Sequence, residues 1–418
     1  MSKVEQYKKN KPSFGVALGG GGPLGGIYEI GALRALNEAL EGLDFNDLDV
    51  YVGVNSGSFV AANLANQITP AQMCRIFVRN EKDVHPFHPG VFFKPAFSEY
   101  ANRCKAIPKI LFKAWLSFMS HPNDQSVLAS LTSLAQAIPS GIFDNEGFHQ
   151  YVSRSYNVIG RTNNFNALRK NLTVIATDLE SGETICFGDP EYLDVPISKA
   201  IQSSMATPGL YKSVDIDGRH YVDGTLNKGL HASVAIEKGA DIVFAINPVV
   251  PIDAAKAIHT GTMEKGDLID SGMPSVLAQT YRTMVHSRLS SGLRRVKNEY
   301  PGKEVLLFEP SRSDADMFFS SVFSFKARKD MCERAYQITR TNLRERADEL
   351  TRLLAPSGIR IRHDILNDEY RTLSTGLYGE ALPMYQGNVK HFTVAKGDDD
   401  VSMSSYLEKM TQRVASIF

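Results

Sequence analysis

The sequence is poor in features that would place it in several large classes of protein. Its four cysteines, Cys74, Cys104, Cys186 and Cys332, lie far apart without a C-x-x-C spacing among 418 residues, which disfavours a disulfide framework or a zinc site. No stretch approaches the roughly 18 uninterrupted apolar residues of a membrane span. Lysine and arginine number 46, as do aspartate and glutamate, so the net charge is zero and nothing points to nucleic acid.

What remains is the composition of a large folded scaffold. At 43% hydrophobic residues the chain can bury a large core, and its length permits one large domain with an extension or two domains. The first ten residues have no apolar signal core. We therefore expect a cytoplasmic protein, with peripheral membrane contact as a further expectation. The sequence leaves the oligomeric state open.

A short apolar segment, 50–54, leads into Gly53-Val54-Asn55-Ser56-Gly57 and then into the helix-forming segment 58–65. Strand, tight turn and helix in this order are typical of a nucleophile elbow, G-x-S-x-G, in which a strained turn pushes the central side chain into the open. Gly53 and Gly57 bracket Asn55. Asparagine tolerates positive φ, so the turn survives without the hydroxyl.

A second motif, the glycine-rich loop 19–26, also lies between a predicted strand, 11–18, and a helical pattern. Its backbone N–H groups suit a phosphate or an oxyanion. Gly20 to Gly25 also satisfies G-x-G-x-x-G, a weak dinucleotide pattern. No Gly-Lys-Ser/Thr follows, which excludes a P-loop, and the next strand leads to the elbow rather than to a ribose-binding acid.

A third motif is Tyr221-Val222-Asp223-Gly224-Thr225, an acid at the end of a short extended segment. An aspartate held against a nucleophilic hydroxyl can accept its proton directly. A lone Asp-Gly more often marks a turn, but the three segments occurring in this order favour a site.

Together these motifs resemble those of the patatin-like phospholipases, bacterial lipid acyl hydrolases with a serine–aspartate dyad. The resemblance spans about residues 12–250 and extends to the segments 176–182, 200–209 and 238–246. It implies an α/β fold with a mainly parallel central sheet flanked by helices on both faces, a lipid or acyl-ester substrate, and no metal or cofactor.

Carried over by position, the resemblance places Asn55 at the nucleophile and Asp223 at the base. It implies an oxyanion hole built from the backbone of four residues: Gly20, Gly21, Gly22 and Ser56. The chain departs from the family at Leu24, where many members have a basic residue, and at Thr225, where glycine or alanine is usual.

Asparagine at the nucleophile position closes the acyl-enzyme route, because an amide has no ionisable proton and no useful nucleophilicity. Three explanations compete: a deliberately inactivated variant, a natural scaffold that has lost catalysis, or an enzyme using Ser56 after a shift of the turn. We expect an ester hydrolase that is impaired or inactive as written. The alternative is a catalytically silent lipid-binding or regulatory module, and a dinucleotide-binding protein is the third hypothesis.

The expected domains are a catalytic core over 12–250, with a helical insertion or lid at about 85–140, and a mostly helical extension over 251–418. The segment 107–119 combines apolar residues with lysines and suits either a lipid-touching lid or an ordinary packed helix. His85 and His88 favour a rigid turn over a metal site. Long helices are predicted over 276–296 and 326–354, and the basic cluster 288–297 fits either anionic headgroups or a solvated face.

Overall fold

The computed structural model describes residues 12–79, 89–92, 94–96, 140–314 and 325–377. Most of the expected lid, including 107–119 and both His85 and His88, lies outside the described residues, as does the chain after residue 377. The strands are β1 (Phe14–Leu18), β2 (Leu40–Glu41), β3 (Val50–Val54), β4 (Lys94–Pro95), β5 (Gly141–Asp144), β6 (Asn171–Asp178), β7 (Thr184–Phe187), β8 (Gly209–Tyr211), β9 (Val214–Ile216), β10 (Arg219–Asp223), β11 (Ile242–Ile246), β12 (Glu304–Phe308) and β13 (Arg360–Ile361).

The helices are α1 (Gly22–Ala39), α2 (Ser56–Ala65), α3 (Pro70–Met73), α4 (Glu146–Tyr156), α5 (Ile197–Ser204), α6 (Ala232–Glu237), α7 (Ala254–His259), α8 (Asp267–Asp270), α9 (Gly272–Glu299), α10 (Phe325–Glu345), α11 (Ala347–Leu354) and α12 (His363–Asn367). The helix expected over 326–354 is two helices, because the chain leaves helical geometry at Arg346, whose guanidinium donates to the carbonyl of Leu307.

The central sheet has the strand order β12-β11-β1-β3-β6-β10-β9, with β7 also paired to β6. The strands from β12 to β6 pair in parallel, whereas β10 and β7 pair with β6, and β9 with β10, in antiparallel fashion. This confirms the expected mainly parallel α/β sheet. Strand β12, at the edge of the sheet, lies beyond residue 250, so the sheet includes residues from both sides of the domain boundary expected there. The division into domains at that residue stays a prediction.

Both faces of the sheet are apolar, because successive side chains of a strand point to opposite sides. Val16, Tyr51 and Phe244 belong to a core that includes α1, α2 and α10. Ala17, Val52 and other residues of alternating register belong to a second core with α6 and α9. Helices therefore cover both faces.

The two strands that carry the motifs follow one another along a single edge of β6. Strand β3 pairs with β6 up to Val54 opposite Ile175, and β10, running the other way, pairs with β6 from Asp223 opposite Ala176. Strand β7 occupies the opposite edge over Val174 to Thr177. The ends of β3 and β10 therefore meet head to head, which brings the elbow and the Asp-Gly-Thr segment together.

Candidate active site

The turn between β3 and α2 has the conformation of a strained elbow. Asn55 has φ 53° and ψ −125°, a positive-φ conformation rare outside glycine. A Cβ on Gly53 would lie 2.3 Å from the carbonyl oxygen of Gly57, and a Cβ on Gly57 would lie 2.5 Å from that of Gly19. Both flanking positions therefore require glycine, as the motif predicts.

The side chain of Asn55 connects the glycine-rich loop to Asp223. Its Nδ2 donates to Asp223 Oδ2 at 2.6 Å and, more weakly, to Thr207 Oγ1 at 3.3 Å. Its Oδ1 accepts backbone N–H groups from Ser56 at 2.8 Å, Gly22 at 2.9 Å and Gly21 at 3.4 Å. A single amide thus satisfies donors on one side and an acceptor on the other.

Asp223 is buried and accepts four hydrogen bonds. Thr207 Oγ1 donates to its Oδ2 at 2.6 Å, beside the bond from Asn55. The backbone N–H and the hydroxyl of Thr225 donate to its Oδ1 at 2.9 and 2.8 Å. Burial raises the pKa of the Asp223 carboxyl above its ordinary value, and these donors counteract the shift in part. The carboxylate is therefore held in one orientation, with one oxygen facing position 55.

The predicted oxyanion-hole residues do not all converge. The N–H groups of Gly21, Gly22 and Ser56 point to one atom, Asn55 Oδ1, whereas the N–H of Gly20 donates to the carbonyl of Gly229 at 3.2 Å. Gly20 has another local requirement, since a Cβ there would lie 2.2 Å from Thr225 Cγ2. The structure therefore assembles three of the four predicted backbone donors.

Ser56 lies beside the apex rather than at it. Its Oγ is buried without a hydrogen-bond partner among the described residues, and a Cβ on Gly25 would lie 3.0 Å from it. The hydroxyl thus lies against the start of α1, while the amide at position 55 contacts Asp223. This geometry speaks against the shifted register in which Ser56 attacks.

The expectation of an open apex is wrong, because Asn55 is only 3% exposed and Asp223 1%. The amide is enclosed by the groups that it bonds: the glycine-rich loop, Thr207 and the carboxylate. Both side chains are therefore covered in this structure.

Sequence reasoning missed several side chains that hold the site. Ser204 Oγ accepts the N–H of Asn55 at 2.8 Å and donates to Ile175 at 2.6 Å, which fixes the elbow to β6. Thr207 bonds both Asn55 and Asp223. Ser204 and Thr207 lie in the segment 200–209 that carried the family resemblance. Tyr281 of α9, whose hydroxyl contacts Thr225 Oγ1, had no sequence signal.

The geometry can be compared with what acyl transfer by a serine at position 55 would require. A serine Oγ at position 55 would stand where Asn55 Cγ stands, one amide bond of about 1.3 Å from Nδ2. From the 2.6 Å contact, its distance to Asp223 Oδ2 would be at most about 3.9 Å, and catalytic hydrogen bonds that are long in an unliganded enzyme often tighten in a complex. Converging N–H groups that stabilise a developing oxyanion are the other requirement.

Among the described residues, no group of three or more histidine, cysteine, aspartate or glutamate side chains is gathered in a way that could hold a metal ion. Of the helices in the described ranges, none combines the length and the apolarity needed to cross a bilayer.

Comparison with known proteins gives a family match and a likeness among solved structures. A family model described as Patatin-like phospholipase matches residues 16–236, more than half of the chain. Among solved structures, the crystal structure of VipD from Legionella pneumophila is similar with a TM-score of 0.37 and 14% sequence identity. That match covers 80% of this chain and 67% of the other.

Proposed function

Because this chain belongs to the patatin-like phospholipase family, a family of lipid acyl hydrolases, we propose that Asn55 and Asp223 mark the dyad position of an acyl-ester hydrolase site that lacks its nucleophile. The observation that carries the proposal is the 2.6 Å contact between Asn55 Nδ2 and Asp223 Oδ2 at the apex of the elbow. In the serine form, Asp223 takes the hydroxyl proton as Oγ attacks the ester carbonyl. Gly21, Gly22 and Ser56 then donate to the oxyanion.

For the chain as written we propose severely reduced ester hydrolysis. By analogy with serine proteases, loss of the nucleophile lowers turnover on the order of a millionfold. The amide adds a second obstacle, because its Oδ1 already accepts the N–H groups that an oxyanion would use. The proposed substrates are lipids or other acyl esters. The proposed protein is cytoplasmic and meets them through peripheral contact with a membrane, and the proposed reaction uses no metal or cofactor.

A second candidate is a catalytically silent lipid-binding module, and the completeness of the Asn55 bonding favours it. The amide accepts from the backbone N–H groups and donates to the carboxylate, so these polar groups all have hydrogen-bond partners without a serine. Such a protein would bind lipid without hydrolysing it.

The deciding experiment compares the chain as written with Asn55→Ser and Asn55→Ser/Asp223→Ala on a short-chain p-nitrophenyl ester and on phospholipid vesicles. We expect hydrolysis to appear with the serine and to disappear again without Asp223. A fluorophosphonate probe should label the Asn55→Ser variant at position 55 and leave the chain as written unlabelled.

The outcomes separate the candidates. A folded Asn55→Ser protein that binds vesicles and hydrolyses neither ester would contradict the dyad and favour the silent module. Labelling of the unaltered chain at Ser56 would overturn the assignment of position 55.

A further inference from the structure

The acid of the candidate dyad is connected to a helix that the family match does not include. Helix α9 begins at Gly272, beyond the matched residues 16–236. Its Tyr281 hydroxyl contacts Thr225 Oγ1, and Thr225 Oγ1 is 2.8 Å from Asp223 Oδ1. Thr225 is also the position at which this chain departs from the glycine or alanine usual in the family. The helix therefore contacts the family-atypical side chain at Thr225 Oγ1.

The direction of this hydrogen-bond chain follows from counting protons. An ionised carboxylate only accepts, so the single hydroxyl proton of Thr225 is donated to Asp223. Thr225 Oγ1 can then only accept from Tyr281, which is the donor. Burial, with the charge of Asp223 adding to it, raises the pKa of Tyr281 to about 12, so its proton stays in place at neutral pH.

Helix α9 is anchored on both sides of Tyr281. The Gln279 amide pairs with both backbone groups of Ile252, at 3.0 and 2.8 Å. One turn after Tyr281, Val285 packs closely against Gly229: a Cβ on Gly229 would lie 2.2 Å from Val285 Cγ1. These contacts leave the tyrosine hydroxyl little freedom to leave Thr225.

We propose that Tyr281 is a positioning residue that, through the Thr225 hydroxyl, fixes the orientation of the Asp223 carboxylate towards the side chain at position 55. A donor that polarises Thr225 strengthens the bond from Thr225 to the carboxylate, because hydrogen bonds in a chain reinforce one another. The catalytic consequence of this role rests on the proposed function, but the role itself can be tested without any turnover.

The first test uses the whole chain as written, with Asn55 in place. Carboxyl 13C NMR of aspartate-labelled protein follows the titration of Asp223 in Tyr281→Phe, Thr225→Ala and the double variant. We expect Tyr281→Phe to raise the Asp223 pKa, Thr225→Ala to raise it further, and the double variant to match Thr225→Ala. Tyr300→Phe is the matched control, because the Tyr300 hydroxyl, near the C-terminal end of the same helix, bonds Glu237 instead.

The second test places the same changes in the Asn55→Ser background. We expect Tyr281→Phe to shift the acidic limb of the kcat profile to higher pH and to lower kcat at pH 6 about threefold with KM unchanged. Thr225→Ala should have a larger effect, and Thr225→Ser should retain activity.

The positioning role would be overturned if Tyr281→Phe leaves the pKa of Asp223 unchanged. It would also be overturned if Tyr281→Phe shifts this pKa by the same amount in the Thr225→Ala background as in the unaltered chain. If Asn55→Ser shows no hydrolysis, the proposed function fails while the titration still decides the role of Tyr281.

Discussion

Replacing Asn55 by aspartate tests the central contact of the site directly. The substitution keeps the shape of the side chain but exchanges the Nδ2 donor, 2.6 Å from Asp223 Oδ2, for a second carboxylate oxygen. Two carboxylates at this distance cannot both stay ionised without a large penalty. The outcome is therefore a measurable dependence of stability on pH.

The magnitude follows from comparing two costs. Repulsion between two full charges 2.6 Å apart is about 6 kcal/mol at an effective dielectric constant of about 20. Keeping one proton on the pair costs about 1.4 kcal/mol per pH unit above the ordinary aspartate pKa of about 3.9, or about 4 kcal/mol at pH 7. Retaining one proton costs less free energy than ionising both carboxylates, so we expect the folded pair to share one proton.

The sign follows from linkage. A shared proton means that the pKa of the folded pair lies above that of the unfolded chain. The stability of Asn55→Asp is thus intact below about pH 4 and is lost as the pH rises, by about 1.4 kcal/mol per unit relative to the unaltered chain. Urea unfolding followed by far-UV circular dichroism at pH 4, 5, 6 and 7 measures this difference.

Two further variants control the experiment. Asn298→Asp adds the same charge on an exposed position of α9 and should change stability by less than about 0.5 kcal/mol. The exchange Asn55→Asp/Asp223→Asn again pairs one carboxylate with one amide and should recover most of the loss. If Asn55→Asp instead tracks the unaltered chain from pH 4 to 7, the two side chains are not in contact and the site as described is wrong.

Two other changes test the surroundings of the candidate dyad. Gly20→Ala would place a Cβ 2.2 Å from Thr225 Cγ2 and should destabilise the fold by about 1–3 kcal/mol; Thr225→Ser, which removes that methyl group, should relieve part of the loss, and an additive result in urea unfolding would argue against the clash. Burial, and secondly the charge of Lys228, lowers the pKa of His231 from 6.5 to about 4. The contribution of neutral His231 to the free energy of unfolding is therefore complete above pH 6.5 and is lost as the pH falls towards 4. The unaltered chain should lose roughly 3 kcal/mol over that range through His231, and His231→Asn should show a correspondingly smaller difference between pH 7 and pH 4.

The parts of the site that could be predicted from the sequence are those fixed by local backbone constraints. Gly53 and Gly57 bracket a strained residue because a Cβ at either position would clash with backbone of the same turn or of the adjoining loop. Asn55 tolerates that conformation for reasons internal to the residue. The mainly parallel sheet follows equally from strand-like segments that alternate with helical ones, and the structure confirms it.

Partners distant in the chain could not be predicted, because no periodicity encodes them. The N–H of Gly20 looks like any other in a glycine-rich loop, yet it is taken up by the carbonyl of Gly229. Tyr281 lies in a long helical pattern in which one tyrosine gives no sign of reaching Thr225. The exposure of the apex was predicted wrongly for the same reason, since the groups that enclose Asn55 come from three separate segments.

The asparagine at position 55 is the residue at which local and distant constraints combine. At the apex, the residue has to tolerate positive φ; inside the fold, it has to satisfy N–H groups on one side and a buried carboxylate on the other. Serine offers one hydroxyl proton and a shorter reach, so it leaves the N–H groups to water or substrate. Asparagine meets all three demands at once. Under the proposed function, an amide here favours the folded state through the same contacts that would keep an ester from reacting, as expected where stability and activity compete for one position.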